Sequence, residues 1–164
     1  MKIVISESQY KRLIETEEEQ KVLRIPSLKF FNDNWFQLQE FLEKKGNPPY
    51  SIGGNLDLRK TPIESLGNLQ SVGGDLDFRD TSIEFLENLT SVGGDLDLYN
   101  TPIKSLGNLT SVGGYLDLQV TYIESLGNLQ SVGGDLYLYE TPISKKYSEK
   151  EIRQMVSVGG GIHL

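Results

Sequence analysis

The 164-residue chain has no cysteine, a single histidine and no long apolar run. Without cysteine there can be no disulfide, no thiolate metal ligand and no cysteine nucleophile, a pattern that suits a reducing compartment. The one early apolar cluster, Ile3-Val4-Ile5, gives way at once to Ser6-Glu7-Ser8-Gln9. That is too short and too polar for a signal peptide or a membrane-spanning helix, so the expected location is the cytoplasm. Catalytic signatures are missing as well. No GxSxG, phosphate-loop or HExxH arrangement occurs, and the lone His163 stands beside the last residue. The expectation is a protein without catalytic residues, cofactor or resident metal.

Positive charge is scarce where it would matter most. The net charge is −7, yet residues 1–50 carry eight basic and eight acidic side chains and residues 141–164 carry four and two. Residues 51–140 carry four basic and thirteen acidic side chains, so this middle segment holds the whole acidic excess. Contact with nucleic-acid phosphates needs the opposite sign, which excludes nucleic acid as the expected partner.

What the sequence does contain is repetition. Residues 51–130 are one 20-residue unit written four times: SIGGNLDLRKTPIESLGNLQ, SVGGDLDFRDTSIEFLENLT, SVGGDLDLYNTPIKSLGNLT and SVGGYLDLQVTYIESLGNLQ; a fifth copy opens at Ser131 and breaks off after Ser144. A fixed period of this length marks a solenoid, in which each coil buries its apolar side only against its neighbours. In the third copy Leu96, Leu98, Ile103, Leu106, Leu109 and Val112 occupy offsets that recur in the others. Alternation across Leu96-Asp97-Leu98 predicts a short strand with one buried face, and the spacing of three that follows belongs to a different leg of the coil. Thr101-Pro102 and Gly107-Asn108 supply turns, and Gly93-Gly94 lets the backbone enter the next strand.

The in-phase run LxLxxTxI followed by LxxL resembles the leucine-rich repeat, and the 20-residue length is similar to its short bacterial class. The resemblance covers about two thirds of the chain. It implies an α/β solenoid with one short parallel strand per coil and a role in protein binding. Where that family carries an asparagine ladder at the bend, this chain has Thr61, Thr81, Thr101, Thr121 and Thr141. The recurring VGGDL also resembles the coils of receptor L domains, which stack in parallel with a different return leg. The opening MKIVISESQYKRLI resembles N-termini of tailed-phage and environmental bacterial proteins, which implies a phage origin.

Both ends predict caps. Residues 1–50 read as an N-terminal helical cap: Ser6 and Gln9 form a capping box ahead of Tyr10, Leu13 and Ile14, and a second helix opens near Asn32–Asn34, carries Trp35, Phe36, Leu38, Phe41 and Leu42, and stops at Gly46. Residues 51–140 form the solenoid. Residues 141–164 form a C-terminal capping coil, with Ser148 as N-cap of a helix over Glu149–Val156, Ile152 and Met155 facing inward, and a last strand in SVGGGIHL. An open strand edge there would allow a homo-oligomer.

Inward leucines on the LxL strand leave the residue between them facing out. Stacking then aligns Asp57, Asp77, Asp97, Asp117 and Tyr137, with His163 as a sixth rung. The flanking columns are Asn55, Asp75, Asp95, Tyr115, Asp135 and Arg59, Arg79, Tyr99, Gln119, Tyr139. Rungs about 4.8 Å apart repel by about 0.9 kcal/mol per Asp pair in bulk water and about 3.5 kcal/mol at an effective dielectric of 20. GGDLDL invites comparison with the calcium repeat GGxGxD, but that repeat has nine residues and a glycine where Leu96 stands. The expected function is therefore binding of a protein partner with basic groups, guided by Asp57, Asp77, Asp97 and Asp117 and anchored by Tyr99, Tyr115, Tyr137 and Tyr139. The alternative is an assembly protein that pairs through its terminal strand or helical cap.

Overall fold

A computed structural model describes residues 22–164. The first predicted helix, with Ser6, Gln9, Tyr10, Leu13 and Ile14, lies outside the described residues. The chain opens with β1 (Leu23–Ile25), a 3-10 turn (Leu28–Phe31) and α1 (Trp35–Lys44). Asn34 caps α1 by accepting the N–H of Gln37. Trp35, Leu38 and Leu42 face the first coil and are buried, while Phe36 is 55% exposed.

The coils follow. Coil one holds β2 (Tyr50–Ile52) and β3 (Leu56–Asp57), and coil two holds β4 (Leu69–Val72) and β5 (Leu76–Asp77). Coil three holds β6 (Ser91–Val92) and β7 (Leu96–Asp97), coil four β8 (Ser111–Val112) and β9 (Leu116–Asp117), and coil five β10 (Ser131–Val132) and β11 (Leu136–Tyr137). After α2 (Pro142–Lys146) and α3 (Glu149–Met155) the last coil adds β12 (Ser157–Val158) and β13 (Ile162–His163). Each coil thus carries two strands, which corrects the expectation of one. They join separate parallel sheets: a seven-stranded Ser-Val sheet in the order β1-β2-β4-β6-β8-β10-β12, and a six-stranded Leu-Asp sheet in the order β13-β11-β9-β7-β5-β3. Leu136 pairs with Ile162, 26 residues on, so the capping coil returns to the common register despite its inserted helices.

The two glycines between the strands make this stacking possible. A Cβ on Gly93 would overlap the Gly73 carbonyl oxygen of the preceding coil, and one on Gly94 would overlap Oδ1 of Asp75. All six aliphatic residues named for the third copy are at most 1% exposed, and the equivalent leucines, isoleucines and valines of the other coils continue one core along the axis. The turn after each Leu-Asp strand passes through a left-handed residue: Lys60, Asp80, Asn100, Val120 and Glu140 all have φ between 55° and 58° except Asn100 at 54°.

The C-terminal cap differs from expectation in two respects. Thr141 and Pro142 start the unpredicted α2, the Thr141 hydroxyl accepting the N–H of Ser144. In α3 the capping box of Ser148 and Glu151 is present and Ile152 is buried, but Met155 is 46% exposed and does not face inward. No helix among the described residues is long and apolar enough to cross a membrane.

Candidate functional site: the outer face of the Leu-Asp sheet

The outward column runs in register through Asp57, Asp77, Asp97, Asp117, Tyr137 and His163. Each aspartate stands between two buried apolar residues, as the alternation requires. Its Oδ1 accepts the backbone N–H two residues on: Arg59 and Arg79 at 3.1 Å, Tyr99 at 3.0 Å, Gln119 at 2.8 Å. The carboxylates therefore brace the turn that follows each strand as well as lining the face.

The two arginines bind these rungs in the same way. Arg59 forks onto both oxygens of Asp57, with Nη2 2.6 Å from Oδ2, and brings Nε within 3.4 Å of Asp77. Arg79 forks onto Asp77 and brings Nε within 3.2 Å of Asp97. Each guanidinium thus spans two rungs and relieves their repulsion. The relief stops there, because the next positions in that column are Tyr99, Gln119 and Tyr139. Asp117 has the Gln119 carboxamide at 3.0 Å in place of an arginine.

Charge on the face is graded accordingly. The Arg59 fork holds Asp57, at the exposed end, below the ordinary carboxylate range. Asp97 is only 6% exposed, which corrects the picture of four carboxylates projecting into water. Burial, reinforced by Asp117 and Asp77, pushes its carboxyl up despite the Tyr99 N–H and Arg79. Burial likewise raises Asp117. Tyr115 is pushed up to about 12 by burial and by Asp97 and Asp95.

The tyrosines divide. Tyr115 and Tyr137 meet edge to face at 6.1 Å, Tyr137 stacks on the His163 ring at 4.5 Å, and Tyr139 lies 6.4 Å from that ring. His163 Nε2 is 3.0 Å from Asp135 Oδ2, and the Tyr137 hydroxyl donates to the same oxygen at 3.3 Å. Hydrogen bonding to His163 keeps Asp135 below its ordinary range. Tyr99 stands apart from this aromatic run and is 41% exposed; Tyr139 is 45% exposed.

The hydrogen-bonding ladders run elsewhere than at the threonines of the bend. Thr101, Thr121 and Thr141 donate to carbonyls of their own coil, three residues back, and the buried Thr81 hydroxyl has no partner. Coils are instead joined by side chains at other positions, Thr90 and Thr110 donating to the carbonyls of Gln70 and Thr90, and two longer columns run through Asn and Asp residues. Oδ1 of Asn55, Asp75 and Asp95 accepts the N–H of Asp75, Asp95 and Tyr115 in turn, at 2.8–3.0 Å. On the return leg, Asn68, Asn88, Asn108 and Asn128 donate to backbone carbonyls of the preceding turn. The recurrence of Asx after Gly-Gly and of Asn after Leu-Gly was the signal available for both.

Among the described residues, no group of three or more histidine, cysteine or carboxylate side chains is placed to hold a metal ion. No protein-family model, no curated protein and no solved structure matches this chain.

Proposed function

We propose that the protein is a non-catalytic binding module whose Leu-Asp face captures a basic protein partner, with Asp117 receiving its cation beside Tyr99, Tyr115, Tyr137 and Tyr139. One observation carries this reading: Arg59 and Arg79 each lie across two successive carboxylates, and the same carboxylates continue into coils where Tyr99 and Gln119 replace the arginine. A guanidinium supplied by a partner would find there the acceptors that the chain's own arginines use next door. The leucine-rich-repeat kinship, the short 20-residue type included, belongs to the same proposal and is supported by the in-phase LxLxxTxI and LxxL positions. So do the cytoplasmic location and the phage origin, which rest on the sequence alone.

The test is calorimetric titration with an arginine-bearing peptide and its lysine and glutamate counterparts. Asp117→Asn combined with Tyr99→Ala is expected to weaken arginine-peptide binding about tenfold or more, and binding should fall as salt rises. Equal affinity of the variant and the parent chain would refute the reading. A second reading, assembly through the helical cap, is favoured by Phe30 and Phe36, which are 42% and 55% exposed on neighbouring turns. Phe36→Ser would then abolish self-association and leave peptide binding intact.

A further inference from the structure

Coil-to-coil bonding in the Ser-Val sheet follows a strict rule at the glycine corner. The first glycine of each coil donates its N–H to the carbonyl of the preceding coil's Ile52, Val72, Val92, Val112 or Val132 at 2.7–2.9 Å. The second donates to the carbonyl of Gly54, Gly74, Gly94, Gly114 or Gly134 at 2.8–3.3 Å. In the last coil the equivalent carbonyls belong to Val158 and Gly160. Both are filled by one side chain: Arg153 of α3 donates from Nη1 to Val158 at 3.2 Å and from Nη2 to Gly160 at 3.0 Å. Its Nε is held by Glu149, one turn earlier, at 2.9 Å.

We propose that Arg153 is a stopper for the Ser-Val sheet, its guanidinium standing in for the two glycine amides of a further coil and denying the β12 edge to a second copy of this chain. The fork suits the task because it presents two parallel N–H groups in a fixed plane. The edge it covers is self-complementary. Ser157 and Gly159 donate their N–H groups back to coil five, so the N–H and C=O of Val158 face outward together. Two copies related by a two-fold axis could exchange both bonds between their Val158 residues. With Arg153 in place the Val158 carbonyl is occupied and that exchange is blocked.

The experiment compares the whole chain with Arg153→Ala and Arg153→Lys by sedimentation velocity over a wide concentration range and by amide exchange. Arg153→Lys keeps the charge and the pairing with Glu149 but cannot span two carbonyls. At low concentration both variants are expected to exchange the Gly159 and Gly160 amides about tenfold faster than the parent, with coils one to three unchanged. At high concentration both should dimerise, and the β12 amides should slow again while the parent stays unpaired at that edge. Unchanged Gly159 and Gly160 exchange, variants that stay monomeric throughout, a dimer whose slowed amides lie elsewhere, or full rescue by lysine would each overturn the proposal. None of these readouts depends on peptide binding to the Leu-Asp face, so either idea can fail without the other.

Discussion

At the scale of single residues, Asp97 carries an electrostatic burden on the Leu-Asp face. It is the most buried rung, has like charges on both sides, and receives an arginine only at the Nε edge, 3.2 Å away. Its folded-state pKa is raised, so the folded chain takes up a proton more readily than the unfolded chain. Its ionisation therefore costs stability at neutral pH, and that cost disappears as the pH falls through the raised value toward the ordinary range of about 4. Asp57 and Asp135 have the opposite sign: their lowered values lend stability above the ordinary range that is lost on acidification, a small contribution because both sit in solvent-screened positions. Asp97→Asn keeps the Oδ1 acceptor for Tyr99 and removes the charge. Its melting temperature is expected to exceed the parent's at pH 7, with the gap closing as the pH is lowered to about 4. A lower melting temperature at pH 7 would show that the Arg79 contact outweighs the desolvation.

At the scale of the element, the corner between the two strands dictates the rest. Gly93 and Gly46 are both glycines for different reasons. Gly93 has no room for a methyl because a neighbouring coil's carbonyl fills the space, whereas Gly46 has nothing within 4 Å but sits at φ +80° after α1. Gly93→Ala should cost about 3 kcal/mol, the upper end of ordinary overpacking, and Gly46→Ala about 1 kcal/mol. Denaturant titration of both variants checks the ordering, and equal costs would mean that the corner can open. The contrast also marks what could be read in advance. Leu96-Asp97-Leu98 shows the Leu-Asp strand by alternation, and Ser148 as an N-cap shows the start of α3. The Ser-Val strand is two residues long in most coils and offers no alternation, so periodicity could not reveal it. β1 escaped for a different reason: Leu23-Arg24-Ile25 alternates but stands alone, outside any repeat, and its pairing with Tyr50–Ile52 is what makes it a strand. The order of the site's rungs was legible because register follows from period, but the depth of Asp97 was not, since it depends on what the neighbouring coils lay over it.

At the scale of the molecule, the coils are interchangeable parts. Each pairs only with the coil before and the coil after, and the register repeats without a shift from coil two to coil five. Removing residues 81–100 joins Asp80 to Thr101 at equivalent positions of the turn and should leave a cooperatively folding, shorter stack with a lower melting temperature. Removing residues 91–100 alone takes out both strands of coil three and leaves an unmatched return leg, so it should abolish the cooperative transition. Circular dichroism melts of the two deletions decide the matter, and a shorter stack that unfolds without cooperativity would show that the coils are not equivalent.

That unshifted stacking also gives the outer face a pitch. Its carboxylates recur about every 4.8 Å along the axis, and the intramolecular arginines show that one guanidinium bridges one interval. Alternate side chains of an extended peptide advance about 6.8 Å and fall out of step after the first contact. Residues three or four apart on an α-helix advance about 4.5–6 Å, which brackets the interval. A partner of the proposed kind that carried its arginines along one side of a helix would therefore match this spacing where an extended strand would not.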